Sequence, residues 1–291
     1  MGEIGLTVAV YITIIGLLLL VSVSCLLGKR LHIYSVASIL QGLGLNTASQ
    51  EKHSTVGAKL KASVIVFMVR VLIGFVWSLA KLRIPIESLV MNSFRGKLGY
   101  LARASYWKAN LGHLGMNVRI ETGVHFINPS SIFINDYSWI DKNVVLHAGN
   151  GEFRGSNIIY RLNPNYHHGP GELRIGRFCH IAPNAIIQAL AGVALEDCAS
   201  VASGGKIYSV SNHIRNPKDL TDKKVYKWSP MVPLEEQLFI VGPVVLKKNS
   251  GLGLNAVVLP GVTINENSLV AVNSIALHDI APNTIAKSSL H

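Results

Sequence analysis

Six aliphatic residues, Leu246, Leu252, Val258, Ile264, Val270 and Ala276, stand six positions apart in an unbroken run. Helices repeat near 3.6 residues and strands near 2, so neither produces this period. Small and turn-forming residues fill the intervals, a pattern that needs very short strands joined at corners. Three such strands make one triangular turn of a β-solenoid. The same spacing recurs at Ile134, Ile140 and Leu146, at Ile175, Ile181 and Ile187, and at Leu195, Val201 and Ile207. Corner signals at Gly123, Asn128-Pro129 and Asn135-Asp136 place the first coils within 115–141. Residues 149–172 lose the phase and are rich in Gly, Asn and Pro, which predicts a loop; a longer interruption is expected over 208–243.

The solenoid does not account for the whole chain. Of 291 residues, 49% are hydrophobic, more than an ordinary soluble domain needs, so a membrane-associated part is expected beside it. Basic charge is concentrated in that part: residues 1–112 hold 12 Lys or Arg against 3 Glu, and the remainder 15 basic against 13 acidic residues. Such a collar suits anionic headgroups better than nucleic acid. Residues 4–27 carry no charge and as a helix would reach about 36 Å, enough to cross a bilayer core. Lys29 and Arg30 follow it, placing the amino terminus outside and the rest in the cytoplasm.

Residues 62–80 form a second apolar stretch with Arg70 near its middle and Lys on both flanks. Ser63, Arg70, Gly74, Ser78 and Lys81 fall on one polar stripe, which predicts a helix in the membrane interface or a re-entrant hairpin rather than a second span. Over 91–111, Phe94, Leu98, Leu101 and Leu111 alternate with Arg95, Lys97, Arg103 and Lys108, which predicts an amphipathic helix with a basic face. The organisation expected is a transmembrane helix (1–30), membrane-associated helices (31–111) and the solenoid (112–291). Cys25, Cys179 and Cys198 lack metal or redox spacing and read as buried free thiols.

With these motifs in place, the chain resembles the hexapeptide-repeat acyltransferases over roughly 112–283, in particular their sugar O-acetyltransferase branch. The resemblance rests on Ser211-Asn212-His213 before a variable segment, on the return to the repeats through residues 242–246, and on Asn-Ala-Val-Val-Leu-Pro-Gly-Val-Thr-Ile at 255–264. It implies a mainly β fold, a left-handed parallel β-helix, here behind N-terminal transmembrane and amphipathic helices. It further implies a homotrimer and transfer of an acetyl group from acetyl-CoA directly to a sugar hydroxyl. His213 would be the general base, a role suited to an imidazole with a pKa of about 6.5. Asn212, or a carboxylate such as Glu196, Asp197 or Asp219, would orient it.

The same resemblance puts the donor at Gly253, Asn255, Gly261, Ala271, Ser274 and His278, with Lys247 and Lys248 near the CoA phosphates. Several donor-side positions depart from the family pattern, among them Leu246-Lys247-Lys248 in place of Ile-Gly-Asp. Ser211, His180 and His147 are acceptor-side candidates. His147, His180 and His213 are spaced 33 apart, but without a close His pair on one coil no metal site is expected. The implied enzyme works at the cytoplasmic face of a bacterial inner membrane, with membrane lipids around its anchor, no nucleic acid partner, and a lipid-diphosphate-linked or nucleotide-linked sugar of cell-surface polysaccharide assembly as acceptor. Transfer of another acyl group or to an amino sugar, and a non-catalytic membrane scaffold, are the competing readings.

Overall fold

The structure is a computed structural model and describes residues 20, 21, 23, 24, 26, 27, 31, 56–92, 96–151, 157–219 and 221–287. The chain divides into two compact units, Met1–Asn110 with Leu114–Asn117, and Leu111–His113 with Val118–His291. The expected transmembrane helix at 4–27 lies outside the described residues, except for six positions from Leu20 to Leu27 that are helical. Cys25 lies outside them too.

In the first unit, Val56–Lys81 is a single α-helix of 26 residues. An unbroken helix leaves no room for a hairpin between 62 and 80, so the re-entrant form expected for this stretch does not occur. Val66, Val69, Ile73, Val76 and Ala80 form its buried stripe, while Val64, Phe67, Met68 and Phe75 stay exposed. Gly74, on the polar stripe, faces inward: a β-carbon there would collide with the backbone of Ser24. The Ser78 hydroxyl donates back to the Gly74 carbonyl at 2.8 Å, which satisfies it within the helix.

Of the basic amphipathic helix expected over 91–111, residues 93–95, with Phe94 and Arg95, lie outside the described residues; Glu87–Asn92 and Gly96–Asn110 are helical. Among its described cations Lys97 is exposed, but Arg103 and Lys108 do not join it on a basic face. Arg103 is buried to 1% exposure with its guanidinium 5.4 Å from the Tyr100 ring, the Lys108 ammonium donates to the Leu114 carbonyl, and Leu98 is exposed. Small residues explain this, because Gly99, Ala102, Ala104 and Ala109 let that face approach its neighbours, including Val76 and Val90.

The second unit is a three-sided parallel β-helix, its sides two six-stranded sheets and one seven-stranded sheet. One coil contributes one strand to each. In the first sheet Ile134, Ile175, Leu195, Leu246 and Ile264 stack coil upon coil. In the second the column is Ile140, Ile181, Val201, Leu252 and Val270, and in the third Leu146, Ile187, Ile207, Val258 and Ala276. These fifteen residues are the hexad set, and each is 3% exposed or less. Corners are turned by left-handed residues, chiefly Asn143, Asn184, Asn249, Asn255, Asn267, Asn273 and Asn283. Asparagine tolerates that conformation, and its amide also bonds along the corner, Asn249 to Asn267 at 2.9 Å and Asn267 to Asn283 at 3.1 Å. Cys198 takes the same left-handed role, so it is exposed rather than buried, whereas Cys179 is buried as expected.

The two interruptions are not plain loops. Both leave the corner between the third and first sheets, and they pair into a sheet of Val210–His213, Leu238–Val241 and Asn157–Tyr160. Their shared exit point explains the pairing: segments extruded from one corner of neighbouring coils run side by side and satisfy each other's backbone groups. The chain contributes Asn-Ile-Ile-Tyr and Leu-Phe-Ile-Val, β-rich runs outside the hexad phase.

Candidate active site

The accessory sheet has two faces, set by strand alternation. Val210, Phe239 and Val241 pack with Ile158, Leu190, Ala191 and Leu234 on one of them. The opposite face carries Ile159, Leu238 and Ile240 against Tyr226. Register puts His213 beside Leu238 and Ser211 beside Ile240 on that second face. Arg161, two residues beyond Ile159, belongs to it as well.

Ser211 and His213 meet there: the serine oxygen is 3.0 Å from His213 Nε2. A hydroxyl at that distance from a ring nitrogen is in the arrangement from which an imidazole removes a proton. Burial, and after it the charge of Arg161, pushes the His213 imidazole below its ordinary pKa and keeps it neutral, the form that can act as base. Asn212 projects to the other face, where its amide donates to Gln237 Oε1 at 3.3 Å. The carboxylates considered as orienting partners are engaged elsewhere. Glu196 pairs with Lys247, Asp197 accepts the Arg177 amide, and Asp219 accepts from Thr221.

Arg161 joins the accessory sheet to the last coils. Its amide donates to the Val241 carbonyl at 2.8 Å, and its guanidinium lies 3.3 Å from the Leu277 carbonyl oxygen and 3.4 Å from that of Pro260. Two glycines make room: a β-carbon at Gly242 or Gly261 would collide with Arg161, and Gly261 has φ 82°. Gly261→Ala is therefore expected to displace Arg161 and lower activity well beyond its effect on melting temperature, measured by transfer assay beside thermal unfolding. Asn163 fastens the next turn, donating to the Pro243 carbonyl at 3.1 Å and accepting the buried Thr263 hydroxyl at 3.1 Å. Asn163→Ala leaves buried groups unpaired and is expected to cost about 1–3 kcal/mol, read by denaturant unfolding.

The donor-side candidates fall at different corners. Gly261 and His278 share the corner of Arg161. Gly253, Asn255, Ala271 and Ser274 lie between the second and third sheets, where Gly253 and the 271–272 backbone stack too closely for a β-carbon. Lys247 follows the first sheet, its ammonium 3.3 Å from Glu196 rather than free for a phosphate. Lys248 beside it is exposed.

Of the acceptor-side candidates, His147 is half-buried on the third sheet, its imidazole pushed down by burial, next to Gln188, whose side chain accepts the Val210 amide. His180 is not brought to this site. It sits on the second sheet, stacked 4.7 Å from Trp139 and 3.5 Å from Asp141. Among the described residues no three His, Cys, Asp or Glu converge as a metal site would need. Arg161 and Asn163 were missed from sequence because a lone Arg and Asn in an unphased stretch look solvated. The run Asn157-Ile-Ile-Tyr160 before them was the available signal.

No family model matches the chain. A protein of Schizosaccharomyces pombe assigned as an acetyltransferase is 40% identical over 47 residues, 16% of this chain and 23% of that protein, so the match spans less than a quarter of that relative. The dTDP-4-amino-4,6-dideoxy-D-glucose acyltransferase of Escherichia coli is 23% identical over 188 residues, 65% of this chain and 83% of the relative. Among solved structures, AntD, an N-acyltransferase from Bacillus cereus in complex with dTDP and 3-hydroxybutyryl-CoA, superposes with a TM-score of 0.48 at 21% identity, covering 66% of this chain and 83% of that one.

Proposed function

We propose that this protein is a hexapeptide-repeat sugar acyltransferase that uses an acyl-CoA donor, with a left-handed β-helix and His213 as general base. The observation that carries the reading is the Ser211–His213 pair, held 3.0 Å apart on the face shared with Arg161, at the corner where the excursions leave the coils. Neutral His213 takes the proton of the acceptor hydroxyl as its oxygen attacks the thioester carbonyl. The tetrahedral intermediate then expels CoA thiolate, which recovers the proton from the imidazolium, and the acylated sugar departs. Ser211 holds the ring in place, so Ser211→Ala is expected to lower kcat a few-fold to about tenfold, the value of one neutral hydrogen bond.

The acyl group we assign is acetyl and the acceptor a hydroxyl. Transfer to an amino group is the second reading, favoured by the relative that matches along 188 residues and acts on an amino sugar. Purified protein given acetyl-CoA and diphosphate-linked sugars separates them: an ester product is cleaved by mild base, an amide survives. Absence of any acceptor-dependent release of CoA thiol would refute both.

We place the catalytic unit at the cytoplasmic side of a membrane, as a homotrimer. In support, the helix Val56–Lys81 holds a 20-residue window of mean hydropathy 2.2 from Ala62 to Lys81 and keeps Val64, Phe67, Met68 and Phe75 exposed while Gly74 turns inward. An apolar helix of this length with exposed Val, Phe and Met side chains suits lipid. Phase partition of the expressed protein into detergent is the expected result, and recovery in the aqueous phase would contradict it.

A further inference from the structure

The longer excursion ends in an ordered turn that presents its largest apolar side chains to solvent. Its base is fixed. Tyr226 is buried against Ile159, Leu238 and Ile240, its amide donates to the Ile214 carbonyl at 2.9 Å, and the Lys227 amide donates to that of Glu236 at 2.8 Å. Beyond this base the Met231 amide donates to the Ser229 hydroxyl at 3.2 Å, and the Gln237 side chain closes the turn on the Val232 carbonyl at 2.8 Å. Pro230 and Pro233 fix the backbone on either side. Trp228 is nevertheless 64% exposed and Met231 89%, and Ile214 and Val225 are exposed beside the paired backbone. A turn that buries a tyrosine and leaves a tryptophan and a methionine in water presents a docking surface for an apolar layer.

The flanking charge says which layer. Residues 214–232 hold five basic residues, Arg215, Lys218, Lys223, Lys224 and Lys227, against Asp219 and Asp222. Both aspartates serve local turns, Asp219 accepting the Thr221 amide and hydroxyl and Asp222 the Lys224 amide. Among the described residues, ion pairs join Arg174 to Glu172, His180 to Asp141 and Lys247 to Glu196, so none of the five cations has a carboxylate partner. Glu235 and Glu236 lie on the return, where the Asn157 side chain holds the Glu235 carbonyl to the accessory sheet at 2.9 Å. Cations set among exposed Trp, Met and Val match the boundary layer of an anionic bilayer, with phosphates outside and acyl chains beneath. Tryptophan settles at that boundary, and lysine stems are long enough to keep their ammonium groups among the headgroups while it does so.

On the membrane placement proposed above, we infer that the turn at Trp228–Met231 is a membrane contact of the β-helix unit itself. Trp228 and Met231 enter the interface of an anionic leaflet, and Lys223, Lys224 and Lys227 meet its phosphates. The excursion begins at Ile214, directly after His213, so this contact ties the strand of the general base to the lipid surface.

The test is tryptophan fluorescence of the full-length protein in nanodiscs with brominated acyl chains, made of phosphatidylcholine alone or mixed with phosphatidylglycerol. The chain has four tryptophans, and subtracting the spectrum of Trp228→Phe from that of the wild type isolates Trp228. Expected is a blue-shifted Trp228 emission quenched about twofold or more in the anionic discs and less in phosphatidylcholine. Combined Lys223→Gln, Lys224→Gln and Lys227→Gln should bring the quenching down to the phosphatidylcholine level, and Met231→Asp should remove it. These positions are exposed, and circular dichroism confirms that the variants are folded. The inference is overturned if Trp228 emits as in water in both lipids, or if quenching ignores lipid charge and the lysine substitutions. Blue-shifted but unquenched emission, with Met231→Asp breaking up the oligomer in light scattering, would overturn it in favour of a second copy covering the turn. If the wild type stays out of the nanodiscs, the membrane placement fails instead, and the same difference spectrum with brominated vesicles of the two compositions decides the turn by itself.

Discussion

His213→Ala should lower kcat/KM for acyl transfer by about 10²–10⁴-fold, the contribution of a positioned general base. His213 is half-exposed at the end of its strand, with Ser211 as its side-chain hydrogen-bond partner. The variant should therefore fold, bind CoA and melt close to the wild type, which separates lost chemistry from lost structure. The pH profile adds a second reading. Burial and then Arg161 hold the His213 pKa below its ordinary value, so the neutral base persists to lower pH. The acidic limb of kcat/KM should accordingly lie below about pH 6.5 in the wild type and vanish in His213→Ala. Arg161→Gln, which removes the second cause, should move that limb upward. A wild-type limb above the ordinary histidine range would contradict the assignment.

Leu146→Ala should cost about 2–5 kcal/mol, the range for deleting a buried leucine side chain. Leu146 is fully buried on the third sheet, stacked between Phe126 of the preceding coil and Ile187 of the next. The three sheets face one another across a narrow interior, so the cavity has few ways to collapse. Solenoid stability is close to a sum over neighbouring coils, so the loss should appear as a lowered unfolding midpoint in urea, with the damage centred on the coils around residue 146. Hydrogen exchange would locate it. Equal loosening at the 270–286 coils would contradict a nearest-neighbour account.

How much of this was legible follows from what each feature depends on. The hexad residues announced the coils because a corner every few residues forces a spacing that no helix or ordinary strand shares, and Asn or Gly at the corners is dictated by left-handed backbone geometry. The accessory sheet was hidden. Its strands pair across long intervals of sequence, Val241 with Val210 and with Tyr160, and only the common corner from which both excursions leave brings them together. Arg103 was read as part of a basic face, but its burial depends on how closely Ala102 and Ala104 let neighbouring helices approach. At the candidate site, His213 was proposed from its motif. Ser211 was visible only as a candidate, because the three-residue string does not say that alternation puts it on the face of His213 and turns Asn212 away. Arg161 gave no local sign; its role comes from Gly242 and Gly261, which leave it space from more than eighty residues downstream.

The most direct test of the central claim is a structure of the protein with CoA bound. The account predicts the CoA sulfur within about 3–4 Å of the imidazole of His213, close enough for the leaving thiolate to recover a proton, at the corner carrying Gly261, Leu277 and Arg161. CoA seated at another corner, with its sulfur beyond reach of every His213 in the assembly, would contradict it.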